Sequence, residues 1–129
     1  NLFDSKKIDE DINNYYLIVL LKILLAKAHI ELSDFETAKI NLESALTLTK
    51  KYELNSLCAK IYFIYGKLYQ DLGTIQSSTQ VEYLNAASKM YKKALDLTNT
   101  KTQNTYLKDK IEAQINILTS YCALNNINV

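Results

Sequence analysis

Few side chains here could do covalent or metal chemistry. One histidine, His29, and two cysteines, Cys58 and Cys122, are the whole supply of imidazole and thiol in 129 residues. A thiol nucleophile needs a base within hydrogen-bond reach and a third group to orient that base. Cys58 and His29 match the first two roles by residue type, but no neighbouring motif supplies the third. A metal site needs three or four ligands, and no Cys/His spacing in the chain offers them. His29 therefore reads as a packing histidine and each cysteine as a small buried apolar residue. No catalytic residue, metal or cofactor is expected, and the chain is expected not to be an enzyme.

The charged residues narrow the partner classes. Fifteen lysines face fourteen carboxylates, there is no arginine, and the formal net charge is +1. Arginine is the usual reader of guanine edges and a common phosphate fork, so direct nucleic-acid binding is not expected. The most apolar stretch, 15–26, is interrupted by Lys22 and falls short of the roughly 20 residues of a membrane span. No membrane association is expected. Two distant cysteines and the lack of an Asn-x-Ser/Thr sequon point to a reducing, intracellular setting, cytoplasmic or nuclear. Lys50-Lys51 and Lys92-Lys93 read as solvated pairs near helix C-termini, where cations are favoured. A chain that starts at Asn1 reads as a segment of something longer.

The elements that must position these groups are helices. There is no proline, and Gly66 and Gly73 are the only glycines. Sandwiches and nucleotide-binding α/β folds both need more turn residues than that. Residues 1–13 read as a polar tail or short helix, with sparse apolar positions at Leu2, Phe3, Ile8 and Ile12. From 14 to 32, Leu17, Leu20, Leu21, Leu24, Leu25 and Ala28 recur at helical spacing, with Ile18, Ile23 and Ile30 on other faces. A helix apolar on more than one face is packed on both sides. Ser33 and Asp34 stop this helix and cap the next, which runs to about Tyr52. A third helix spans about 56–72, with Gly73 as its C-terminal glycine and Tyr62, Tyr65 and Tyr69 as core. The stretch 74–82 reads as a loop, about 82–97 as a fourth helix, 98–105 as a loop, and 106–124 as a fifth helix. The fold class is all-α, with about five helices in antiparallel pairs.

The helices repeat. Ala26, His29 and Ser33 align with Gly66, Tyr69 and Gly73, and Ala38, Leu42 and Ala45 align with Ala87, Tyr91 and Ala94. The first set is offset by 40 positions, and a nine-residue insertion around 74–82 precedes the second. Ile117, Leu118, Tyr121 and Asn125 repeat the first helix of the pair once more. These residues resemble the tetratricopeptide repeat, with Ser33-Asp34-Phe35 in the place of its turn and paired alanines seven apart in its second helix. The units are 14–55, 56–98 and a lone first helix at 106–124. The stretch 54–73 looks most like the divergent repeats of the cohesin-loader helical-repeat subunit and of an anaphase-promoting complex scaffold subunit. The period of 40 exceeds the family's usual value of about 34. Lys22 and Tyr62 stand where the family has a tryptophan-like position, and the proline that often follows its second helix is missing.

The resemblance implies a stacked helix-pair solenoid that works as a non-catalytic interaction scaffold within a larger intracellular assembly, cell-cycle or chromosome related. It also implies a groove lined by the first helix of each pair. Carried over by the alignment, the groove positions are Leu20, Ile23, Lys27 and Ile30 in the first unit. They are Lys60, Phe63, Lys67 and Gln70 in the second, and Glu112, Ile115, Asn116 and Thr119 in the third. Such a groove suits an acidic-apolar peptide. The family's carboxylate clamp does not match, since Ile23, Lys27, Ile64, Glu112 and Asn116 stand in its places. The alternative is a peptide-sensing regulatory domain. The insertion reads as a surface loop, or as a docking or modification segment through Thr74, Ser77, Ser78 and Thr79. The C-terminal end is expected to expose apolar surface that meets more of the same chain, a partner or a second copy.

Overall fold

The computed structural model describes the backbone of residues 2–101 and 104–129, and the side chains of 13–101 and 104–129. The expectations for Asn1, for the side chains of Leu2, Phe3, Ile8 and Ile12, and for positions 102 and 103 of the fourth connection lie outside the described residues. Among the described residues five helices follow one another: α1 (Leu2–Glu31), α2 (Phe35–Lys51), α3 (Asn55–Ile75), α4 (Gln80–Thr100) and α5 (Thr105–Leu124). A single 3₁₀ turn, Ser77–Thr79, precedes α4. Among the described residues there is no strand, and the chain is all-α.

The helix ends follow from backbone hydrogen-bond accounting. Three helices stop the same way, with a left-handed residue just past the end: Ser33 (φ 60°), Glu53 (φ 53°) and Asn126 (φ 56°). At each, the next N–H reaches back five residues to a helix carbonyl, Asp34 to His29 (2.8 Å), Leu54 to Thr49 (2.9 Å) and Ile127 to Cys122 (2.8 Å). This closure satisfies carbonyls the last turn would otherwise orphan. Glycine is the usual occupant, and none of the three is glycine. Two helices start on a side-chain cap: Asp34 accepts from the Thr37 N–H (3.4 Å), and Asn104 from the Leu107 N–H (3.0 Å).

Consecutive helices pack on each other, and α1 touches α3 as α3 touches α5. Three-residue turns between packed helices make α1/α2 and α2/α3 antiparallel neighbours. α2 packs on both α1 and α3, and α4 on both α3 and α5. One core cluster joins α1, α2 and α3 around Ile23, Leu42 and Ile61; a second joins α3, α4 and α5 around Leu84, Tyr91 and Ile111. Leu46, Tyr69 and Met90 touch both. The small residues Ala26, Ala38, Ala45, Ala87 and Ala94 are all fully buried, as close helix approach requires.

Four sequence expectations change. The polar segment 1–13 is not a separate tail, since residues from Leu2 onward belong to α1; no proline or glycine interrupts them. The leucine stripe of α1 does not face the core. Val19, Ile23, Ala26 and Ile30 do, while Leu17, Leu21, Leu24 and Leu25 are exposed. Gly73 does not end α3: it lies inside the helix, where an added Cβ would sit 2.7 Å from Leu84 Cδ2. It keeps the α3–α4 approach close. The segment 74–82 is not an inserted loop either. α3 continues to Ile75 and α4 begins at Gln80, so most of the extra residues lengthen helices. Polar composition hid this, because Thr, Gln and Ser tolerate helix once neighbouring packing supports it.

Of the two glycines, Gly66 leaves the smaller space beside it. A Cβ there would drive into the Tyr91 ring, which is fully buried. Tyr91 in turn donates its hydroxyl to Gln70 Oε1 at 2.6 Å, and Gln114 approaches the same oxygen at 3.4 Å. The contact joins α3, α4 and α5. Gly66→Ala gains helix propensity but overpacks this notch, and is expected to destabilise by a net of about 1–2 kcal/mol. Urea denaturation checks this, and Gly73→Ala should cost less because the overlap its Cβ makes with Leu84 is smaller than that with Tyr91 at Gly66.

Candidate ligand cleft

A cleft of about 440 Å³ opens between α1, α3 and α5. The last turns of α1 contribute Lys27 and Ile30. α3 contributes Lys60, Phe63, Ile64 and Lys67, spaced three and four apart so that they share one helix face. The first turns of α5 contribute Leu107 and Lys110. The floor is apolar, with Phe63, Ile64 and Leu107 all buried and Ile30 half-buried. The rim is cationic.

The lysines are crowded. Lys67 Nζ lies 5.5 Å from the Phe63 ring centre and Lys110 Nζ 5.9 Å from the same centre, so two ammonium groups share one aromatic ring. Lys110 also lies 5.1 Å from the Tyr106 ring centre. Burial pushes the Lys60 ammonium below the usual lysine range, and the nearby charges of Lys27 and Lys110 push it the same way. Burial pushes the Asp71 carboxyl up, and Lys67 pulls it partly back. Asp71 and Glu31 are the acidic residues on the wall. Among the described residues the only ion pair is His29 with Asp34, Nδ1 to Oδ2 at 3.2 Å, so none of the four cleft lysines has a carboxylate at ion-pair distance.

Of the twelve expected groove positions, the cleft brings together Lys27, Ile30, Lys60, Phe63 and Lys67. Ile23 is core and Leu20 half-buried against it. Gln70 is held by Tyr91 and Gln114 beside the cleft rather than in it. The third unit is placed differently: Glu112 and Asn116 are exposed, while Ile115 and Thr119 line a separate depression with Ser88 and Lys92 of α4. The physical reason is rotation. α5 packs through Leu107, Ile111, Leu118 and Cys122, which turns Leu107 and Lys110 toward the cleft. Nothing in the sequence singles out Lys110 from the other lysines.

The remaining chemistry-bearing residues sit elsewhere. Cys58 and Cys122 are free and buried, and burial pushes both thiols up, away from the thiolate that reacts. His29 is half-buried, and although its Nδ1 is near Asp34 it makes no hydrogen bond. Asp34 is held below the usual carboxylate range chiefly by its bond from Thr37. Among the described residues no three His, Cys, Asp or Glu side chains converge as a metal site, and no helix is long and apolar enough to cross a membrane. No family model, no curated protein and no solved structure matches the chain.

The crowding of Lys60 has a measurable sign. Its folded-state pKa is depressed, so the charged form is disfavoured by folding at every pH below that value. Replacing it with an apolar chain of similar length removes the penalty. Lys60→Met is expected to melt at a higher temperature than the parent at pH 7. The gap should narrow as pH rises through the depressed pKa toward the usual 10.5, which melting curves across that range test.

Proposed function

We propose that the chain is a non-catalytic scaffold whose α1/α3/α5 cleft holds an acidic-apolar segment of another protein. One observation carries this reading: four lysines ring an apolar floor, and none has a carboxylate at ion-pair distance among the described residues. Assembling like charges without counter-charges costs folding free energy, and an acidic ligand relieves that cost while its apolar side chains cover Phe63, Ile64 and Leu107. Sites kept at the expense of stability are characteristic of function. The lysines supply orientation and on-rate, and the floor supplies affinity.

The contacts of α3 with both α1 and α5, and the packing of α2 on α1 and α3 and of α4 on α3 and α5, support the likeness to tetratricopeptide repeats. So do the paired alanines of α2 and α4, and the matching buried Thr49 and Thr98, each bonded to the carbonyl three residues back at 2.8 Å. On this reading the chain is a short solenoid segment within a larger intracellular assembly, with cell-cycle or chromosome assemblies the class its repeats resemble. The raised thiol pKa values and the solitary histidine support a role without catalysis.

The test is fluorescence anisotropy with labelled peptides of matched length, one set pairing Asp/Glu with Leu/Phe and one pairing Lys with Leu/Phe. Binding is expected for the acidic-apolar set only, weakening as salt rises. Lys27→Glu with Lys67→Glu should lower affinity by roughly tenfold or more, about 1.4 kcal/mol, with unchanged circular dichroism. Equal binding of both sets, or an acidic set that ignores the double substitution, overturns the reading.

A further inference from the structure

α1 is apolar on two nearly opposite faces. Val19, Ile23 and Ala26 are in the core, and Ile30 packs half-buried against it. On the other side Leu17, Ile18, Leu21, Leu24, Leu25 and Ala28, continued by Leu32 just past the end of α1, form an unbroken strip, about a third of the helix circumference at 3.6 residues per turn. All of them are exposed; Leu17, Leu21 and Leu24 are 58–62% exposed and Leu32 76%. No charged residue lies within the strip. Lys22 and His29 flank it on one side, and Lys27 and Glu31 on the other. The apolar exposure at the other end of the fold is thinner, being Tyr106, Ile117 and Leu124 of α5 together with Val129.

We infer that this strip pairs with the same strip of a second copy, α1 against α1 in antiparallel orientation about a two-fold axis between Leu21 and Leu24. Three features select this occupant. The first is size. The strip exposes on the order of 600 Å² of apolar surface, so two copies reach the roughly 1,200 Å² at which specific interfaces become stable, and patches this large on monomers mark contact sites. The second is charge. A strip of leucine, isoleucine and alanine offers no ion to select a charged partner, and it is complementary to itself. The third is register. Leu17, Leu21, Leu24 and Ala28 follow the alternating four-three spacing of a coiled-coil seam. Run antiparallel about that axis, Leu21 of one copy faces Leu24 of the other, and Leu17 faces Ala28, large against small. Ile18 and Leu25 meet along one flank. A parallel pair would set Ala28 against Ala28 and leave a gap there.

A two-fold contact of this kind is isologous, so it closes at two chains and does not propagate. The cleft borders one edge of the strip, where Lys27 and Glu31 line it, while Leu21 and Leu24 at the axis lie outside it. The product is a bivalent molecule with two lysine-rimmed clefts, and its existence does not depend on what those clefts bind.

Sedimentation velocity on the 129-residue chain is the test. The parent is expected to sediment as two chains at roughly 100 µM, as suits an interface at the small end of the stable range. Leu21→Lys with Leu24→Lys places like charges across the axis and should give a single-chain mass with unchanged circular dichroism, since both positions are exposed. Leu21→Lys with Leu24→Glu places opposite charges across an antiparallel axis and like charges across a parallel one, so it should recover the two-chain mass. A single-chain mass for the parent, or a two-chain mass for the double-lysine variant, overturns the pairing. A single-chain mass for the Lys/Glu variant overturns the antiparallel register.

Discussion

The notch at Gly66 is the constraint on which the rest of the molecule depends. Without a Cβ at that position the Tyr91 ring lies against the α3 backbone, and α4 packs closely on α3. Full burial of Tyr91 then requires a partner for its hydroxyl, because an unpaired buried polar group is costly. Gln70 supplies it, and Gln114 brings α5 to the same oxygen. One missing methyl thus sets the depth of α4 and, through a hydrogen-bonded pair of glutamines, the position of α5.

α3 is the interior helix of this arrangement. It contributes Leu57, Ile61 and Leu68 to the core with α1 and α2, and Cys58, Tyr62 and Phe63 to the core with α4 and α5. Burial on so many faces leaves it a narrow strip of outward positions, and three of these are Lys60, Lys67 and Asp71. The cleft chemistry comes from this geometry. Phe63 is held rigid beneath Lys67 and Lys110, and Lys60 is partly desolvated between neighbours of its own sign. A flexible surface would let these ammonium groups separate. Helices packed on both sides of α3 keep them together.

The two ends of the fold are unequal. α5 covers one side of α3 and leaves scattered apolar residues in water. α1 covers the other and leaves a continuous strip. Three-and-four spacing marks a helix face as apolar whether its partner is the core or another surface, so the leucines of α1 looked like core in sequence. Alanine and valine positions made the better core because close packing against α2 and α3 favours small and branched side chains there. Exposure, and not hydrophobicity, separates the two faces.

The helices themselves, the turn at Ser33-Asp34, the paired alanines and the tyrosine core of α3 were legible in the residues. They rest on local rules: helical spacing, capping and the need for small residues where helices meet. The helix extensions through Ile75 and from Gln80 were not legible, because polar residues join a helix when tertiary contact supports it. Nor was the role of Gly73, which depends on Leu84 eleven positions away. Five of the twelve positions carried over by repeat spacing, all on α1 and α3, line the cleft. Those on α5 do not, because the rotation of a helix about its own axis is decided by which of its faces the neighbouring helix buries, and only the tertiary structure contains that choice.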